Sequence, residues 1–435
     1  MQSTKQYSCA LAAFAVALAV QTAGAAPGGA QDVLEFQQIT SPAEASTFLP
    51  QITRRSNGDL VASWMQSKGK DYVFQLSVRH ANQWSPSRTI ASGPELSHFT
   101  ADLPGVAELA DGTLVAYWQL TDRSGSDDEA TVIQIASSAD EGRTWSKPSR
   151  PYRDATPGQH GFISSFRVGA DLGLVWLDAQ SQSRSRAASH EGSALGAIGL
   201  RNVTIDKTGR VKSDAWINPI VCECCPTSAI ATAAGPVVVF RGRVDQAYTK
   251  PSEVHTDAAT VRDIQIVRME DGRWGKPHSV HADHWVFNGC PDNGPAVDGS
   301  GRDLVVAWWT AVGDRPKVQV AFSGDAGTHF DAPIRVDLNN GEGQVTVAWN
   351  AAANSAVVGW LEDHRVWART VSRRGRLGIP IALGSTPSHA RLPRWVSGPD
   401  GVLASWTGIA GEVRSVQFAM LRSPQRPRIA EHPVE

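Results

Sequence analysis

"LPQITRRSNGDLVASWMQ" (residues 49–66) is answered nearly position for position by "LPGVAELADGTLVAYWQL" (residues 103–120). Each reads as a strand, a tight Asn-Gly or Asp-Gly turn, and a second apolar strand ending in an aromatic ring. Asn, Asp and Gly favour such turns, glycine because it takes φ > 0 at no steric cost. Further copies begin at Phe162, Cys225, Cys290, Gly343 and Arg391, which makes seven inner hairpins at a spacing typical of propeller blades. Between them lie further alternating runs such as "TVIQIAS", "VRDIQIVRM" and "KVQVAFS". Each unit therefore amounts to about four short antiparallel strands.

The fold class that follows is all-β: a single β-propeller over residues 27–435, with seven blades favoured and six the alternative if one copy is irregular. The 15 tryptophans fit this reading, since large aromatics pack between the faces of adjacent blades. "VLEFQQIT" (residues 33–40) precedes the first unit, and the last unit ends in the strand-like run "EVRSVQFAML". The N-terminal strand is expected to complete the last blade and leave no free edge.

Ahead of the repeats, Lys5, the apolar run "ALAAFAVALAV" (residues 10–20) and the small-residue stretch "AGA" (residues 23–25) have the form of a signal peptide cleaved near residue 26. Cys9 precedes the apolar run and is misplaced for lipid attachment. The expected location is periplasmic or secreted, with no membrane anchor after cleavage. A net charge of −2 calls for neither nucleic acid nor an anionic membrane as partner.

"SADEGRTW" (residues 138–145) resembles the bacterial neuraminidase repeat, or Asp-box, with Ser138, Asp140, Gly142 and Trp145 in place. "SGDAGTHF" (residues 323–330) keeps Ser323, Asp325 and Gly327, with Phe330 as the aromatic, and "MEDGRW" (residues 269–274) is a remnant. The resemblance is to the sialidase-like propeller superfamily. It implies that these turns are structural and lie on the face opposite the active site. It also implies a carbohydrate-directed function: an exo-sialidase-type glycosidase or a non-catalytic glycan-binding relative, taking a glycan or other small ligand at the channel mouth.

A sialidase of that superfamily would use an arginine clamp, a tyrosine nucleophile with a carboxylate partner, and an acid/base aspartate. Arginine suits a carboxylate because its planar fork offers two parallel hydrogen bonds. The first repeat, "FLPQIT", has no arginine before Pro50, whereas "ARLPRW" places Arg391 before Leu392-Pro393. Tyr117 lies within a hairpin and reads as core. Tyr248, in a long loop, is the remaining tyrosine considered as nucleophile.

Four cysteines follow the leader: Cys222, Cys224, Cys225 and Cys290. Aligning "CPTSAI" with "CPDNGPAV" puts Cys225 and Cys290 at one position of successive repeats, neighbours at the channel mouth opposite the Asp-box turns. The same sector gathers Arg241, Arg243, Arg262, Asp263, His281, His284, Trp285, Asn288, Asp292 and Asn293, and a long loop over residues 178–193. Arg391, Arg262, Asp263 and Tyr248 are the candidate catalytic groups. Arg241, Arg243, Trp285, Asn288, Asp292 and Asn293 are the candidate substrate contacts. For the sulfurs three readings stand: two disulfides, with Cys225–Cys290 geometrically plausible and connectivity open; a thiolate site for Cu or Zn, with His281 or His284; or a redox-active dithiol. A periplasmic metal-binding or redox protein, and a protein-interaction platform, are the alternatives to the carbohydrate reading.

Overall fold

The computed structural model describes residues 33–98, 103–122, 130–153, 160–179, 198–245, 260–387 and 393–423. The expected leader, Tyr248, Arg391 and most of the 178–193 loop lie outside them. The described residues form seven antiparallel sheets and one two-stranded ribbon. Inner strands, in chain order, are Thr47–Arg54, Gly105–Glu108, His160–Val168, Ser228–Ile230, Ala296–Ser300, Gly343–Asn350 and Arg394–Gly398. Each pairs with the next strand of its own hairpin, so the seven repeat copies are the seven blades. Blade 2 has three strands among the described residues rather than four.

Blade 7 is completed from the other end of the chain. Glu35–Ile39 pairs antiparallel with Val413–Arg422, from Glu35 opposite Arg422 to Ile39 opposite Phe418. Among the described residues, no helix is long and apolar enough to cross a membrane.

The hairpin aromatic explains why the ring holds. Seven buried clusters each join two successive blades, and each contains one aromatic from the same hairpin position. They are Trp64, Trp118, Trp176, Phe240, Trp308, Trp360 and Trp406. In every case the ring faces the preceding blade. Four of the indole N–H groups also find acceptors: Trp64 donates to Gln75, Trp176 to Asp178, Trp308 to Asp283 and Trp360 to Glu362. Burying an aromatic this way is worth several kcal/mol, and satisfying its N–H removes the desolvation penalty.

The two Ser-x-Asp-x-Gly segments form matching turns at the ends of third strands. Ser138 Oγ accepts from Gly142 N at 2.7 Å and donates to Asp140, while Asp140 accepts from Thr144 N at 2.9 Å and Thr144 Oγ1 at 2.6 Å. In the second turn Ser323 Oγ accepts from Gly327 N, and His329 replaces the threonine, bonding Asp325 through its backbone N–H and Nδ1. Gly142 has φ +80°, and a Cβ there would come within 2.8 Å of Leu76, so both backbone and packing require glycine. Trp145 and Phe330 pack below against the cores of blades 1–2 and 4–5. Ser323 pairs with Leu304, which pairs with Gly299 at the end of the blade 5 inner strand. These turns therefore mark the rim opposite the inner-strand starts.

Candidate functional site: the cysteine-bearing mouth and the channel

At the rim where inner strands begin, the entries to blades 4 and 5 are joined by a disulfide between Cys224 and Cys290. Cys222 and Cys225 are free thiols, both buried, with their Sγ atoms 3.2 Å apart. Cys222 Sγ is also 3.9 Å from Cys224 Sγ. The sulfurs of all three neighbouring cysteines thus meet that of Cys290 at one mouth, but Cys225 is not the partner of Cys290, and one disulfide replaces the expected two.

The reason is register. The blade 5 inner strand starts at Ala296, after Pro295, not after Pro291. Val297 N donates to Ser228 Oγ at 3.1 Å, and a Cβ on Gly294 would lie 2.0 Å from the Pro226 carbonyl oxygen. Pro226 is therefore level with Gly294 and Pro295. Cys290 sits upstream, exposed on the entry loop, where Cys224 reaches it.

Two buried arginines brace this mouth. Arg241 donates Nε to Asn293 O at 2.7 Å, Nη1 to Arg262 O at 2.7 Å and Nη2 to Trp309 O at 2.8 Å, and lies over the Trp285 ring at 5.0 Å. Arg262 donates to Phe287 O, Gly289 O and Glu223, while Glu223 also accepts from Arg243. Asp263 accepts the backbone N–H groups of His284 and Trp285, both at 3.0 Å. Burial raises its carboxyl above the ordinary range, with those two N–H groups pulling it back. Arg241, Arg262 and Asp263 are thus committed to protein carbonyls, N–H groups and Glu223. In these contacts they shape the mouth.

The remaining expected residues mostly support the loop over residues 281–293. Asn293 donates to Pro291 O and Glu342 O and accepts from Gln344 N, and Asn288 accepts from Thr260 N. Asp292 offers its carbonyl to Gln344. Trp285 is buried and stacks on the half-exposed Phe287 at 5.3 Å between centroids. His281 faces Asp283 at 3.8 Å, and His284 is exposed. Neither histidine joins the cluster of Cys222, Cys224 and Cys225 sulfurs, of which Cys224 is held in the disulfide.

Electrostatics distinguishes the two free thiols. Cys222 is brought down to about 7, first by its hydrogen bond with the Cys225 thiol, against the opposing effect of burial, and then by the Cys224 N–H and the guanidiniums of Arg262 and Arg241. Burial and the neighbouring Cys222 push Cys225 well up. Proximity to cations and N–H donors is the usual cause of a reactive thiolate.

Below the mouth the inner strands enclose a channel cavity of ≈ 370 Å³ whose lining includes Tyr117, Ser165, Asp298 and Arg394. Arg394 Nε is buried with no hydrogen-bond partner among the described residues. Burial lowers this guanidinium to about 10, with Tyr117 opposing. Tyr117 belongs to the core of blades 2–3, as the sequence indicates, yet its hydroxyl sits where a Cβ on Gly105 would lie, 2.4 Å away. Burial lifts this phenol above its ordinary range, and Ser165 hydrogen-bonds it. Asp298 is raised to about 6 by burial despite accepting from Trp349 N at 2.8 Å and Gly299 N at 2.9 Å.

Sequence reasoning passed over Arg394 and Asp298, although a signal exists. Five copies open the inner strand with proline: Pro50, Pro104, Pro226, Pro295 and Pro393. The residue after it is Gln51, Gly105, Thr227, Ala296 and Arg394 in turn, and a single charge in that otherwise neutral set points into the channel region.

The seven antiparallel blades make the fold a β-propeller. No family model matches the chain, and no curated protein matches it. Among solved structures, the polysaccharide lyase Uly1 superposes with TM-score 0.51 at 11% identity, covering 86% of this chain and 89% of that one. An α-L-arabinanase of Penicillium chrysogenum complexed with arabinobiose gives 0.44 at 12%, covering 91% and 98%. A sialidase of Trypanosoma rangeli in complex with the inhibitor DANA gives 0.42 at 13%, covering 91% of this chain but 60% of that one. At these identities the likeness is one of fold.

Proposed function

We propose that this is an exported, carbohydrate-directed propeller that recognises an acidic sugar in the channel below the cysteine-bearing mouth. The observation that carries the reading is the buried Nε of Arg394, without a hydrogen-bond partner among the described residues, in a cavity of ≈ 370 Å³ with a mixed polar and apolar lining. A guanidinium donor left open in such a site suits a sugar carboxylate, and the volume is that of a small-ligand pocket. Tyr117 and Ser165 supply hydroxyls beside it. Asp298, with a carboxyl raised to about 6, is the group in the lining suited to proton transfer. The similar fold of a polysaccharide lyase supports a glycan as ligand, and the signal-like residues 1–26 support export.

The test is titration calorimetry with sialyllactose and with an oligogalacturonate, alongside release of the fluorophore from a sialoside substrate. Binding of either acidic sugar, weakened about 10–100-fold in Arg394→Gln, is the expected result. Fluorophore release would make the protein a glycosidase, and binding without release a glycan-binding relative. If neither acidic sugar binds, or if Arg394→Gln binds as well as the wild type, the reading fails.

A further inference from the structure

The four sulfurs at the mouth lie in two layers. The outer layer is the Cys224–Cys290 disulfide, with Cys290 exposed; the inner layer is the buried dithiol of Cys222 and Cys225. Cys222 links them, with its Sγ 3.2 Å from Cys225 Sγ and 3.9 Å from Cys224 Sγ. A thiol in near contact with one sulfur of a disulfide, and with a second thiol behind it, is the arrangement from which exchange begins. The surroundings favour an anionic sulfur over a bound cation, because the buried guanidiniums of Arg241 and Arg262 both act on Cys222.

We propose that the four cysteines form a thiol–disulfide exchange centre, in which the buried Cys222/Cys225 dithiol passes two electrons through the Cys224–Cys290 disulfide to an organic disulfide at the surface. In the first step the Cys222 thiolate attacks Cys224 Sγ. The Cys222–Cys224 bond forms, the Cys224–Cys290 bond breaks, and Cys290 leaves as a thiolate that takes a proton from solvent. In the second step Cys225 attacks Cys222 Sγ. The Cys222–Cys225 bond forms, Cys224 is released, and the proton of Cys225 passes to it. The inner pair is now oxidised and the outer pair reduced, with no change in the total. An incoming disulfide is then attacked by Cys290 and resolved by Cys224, which restores the outer disulfide and releases two thiols. A thiol reductant returns the inner pair to the dithiol.

Peptide mapping tests this on the full-length protein. Trypsin places Cys222, Cys224 and Cys225 together on one peptide and Cys290 on another, so the two are covalently joined only while Cys290 is in its disulfide. Native protein is incubated with iodoacetamide and no reductant, then digested. The expected result is steady carbamidomethylation of Cys290 and separation of the two peptides. The rate should rise about tenfold from pH 6 to pH 8, following the thiolate fraction of a group titrating at about 7. Cys222→Ser should keep the peptides joined. Cys225→Ser, which retains the first step, should still release Cys290, and so separates loss of exchange from loss of fold. With oxidised glutathione, the wild type should yield two reduced glutathiones per chain and Cys222→Ser none. Cys290 that stays joined in the wild type at every pH, or that is labelled equally fast in Cys222→Ser, overturns the proposal.

Discussion

The two rims of the ring solve the same problem, satisfying polar groups where strands turn, in opposite ways. On the Asp-box rim each turn closes on itself. Ser138, Asp140, Gly142 and Thr144 complete one another's hydrogen bonds within seven positions, and Ser323 to His329 do the same. On the cysteine rim the principal braces are remote. Arg241 is held by Asn293, Arg262 and Trp309, Arg262 by Phe287 and Gly289, and Cys224 by Cys290. Local turns can be lost singly, whereas a remote brace ties several loops together and its removal disturbs them all.

The largest effect that would break this contrast lies at Arg241. Arg241→Met keeps much of the bulk but strands three buried carbonyls and removes the cation over Trp285. Chemical denaturation should show a loss of about 3–5 kcal/mol. A loss below about 1 kcal/mol would mean that the cysteine rim is no more interdependent than the other.

A smaller effect belongs to the channel between the rims. Asp298 has its folded value raised to about 6, above the unfolded carboxylate near 4. The folded state then binds the proton more tightly, so stability falls as pH rises from about 4 to about 6. Because this side chain lines a water-accessible channel, the penalty is about 1–2 kcal/mol at neutral pH rather than the full two-unit value. Asp298→Asn should therefore gain relative to the wild type at pH 7 and lose that advantage at pH 4, as read from paired denaturation curves.

The smallest expected effect is on the Asp-box rim. Burial opposes ionisation of Asp325, but hydrogen bonds from His329 and Ser323 outweigh it and hold the carboxyl well below the usual range. Its contribution is present above the ordinary carboxylate value and is lost as pH falls through the depressed one. Asp325→Ala should cost about 1 kcal/mol at pH 7, with the difference from wild type shrinking in acid. A deficit matching that of Arg241→Met would erase the distinction between the rims.

The same contrast decides what could be read from the chain. The hairpins, their turns and the aromatic of each copy are spelled within about 20 consecutive residues, and all seven copies became blades. The Asp-box turns were legible for the same reason. The mouth was legible only as a neighbourhood. Aligning Cys225-Pro226 with Cys290-Pro291 brought the right strands together, but it missed that the blade 5 strand starts at Ala296, and so named the wrong sulfur of a correct pair of loops. Nor could spacing show that Asp263 faces the N–H groups of His284 and Trp285, since that depends on how a loop folds back across a blade. Arg394 was overlooked because the motif three residues earlier drew attention to Arg391.

The pairing of Glu35–Ile39 with Val413–Arg422 has a bearing on how the molecule is made. At translation rates of roughly 5–20 residues per second, the earlier strand waits on the order of tens of seconds for its mate to leave the ribosome. Throughout that delay the nascent chain carries a ready-made template for illegitimate pairing, and six blades can assemble while the seventh cannot. The ring is thus closed last, by a single clasp on those five residues.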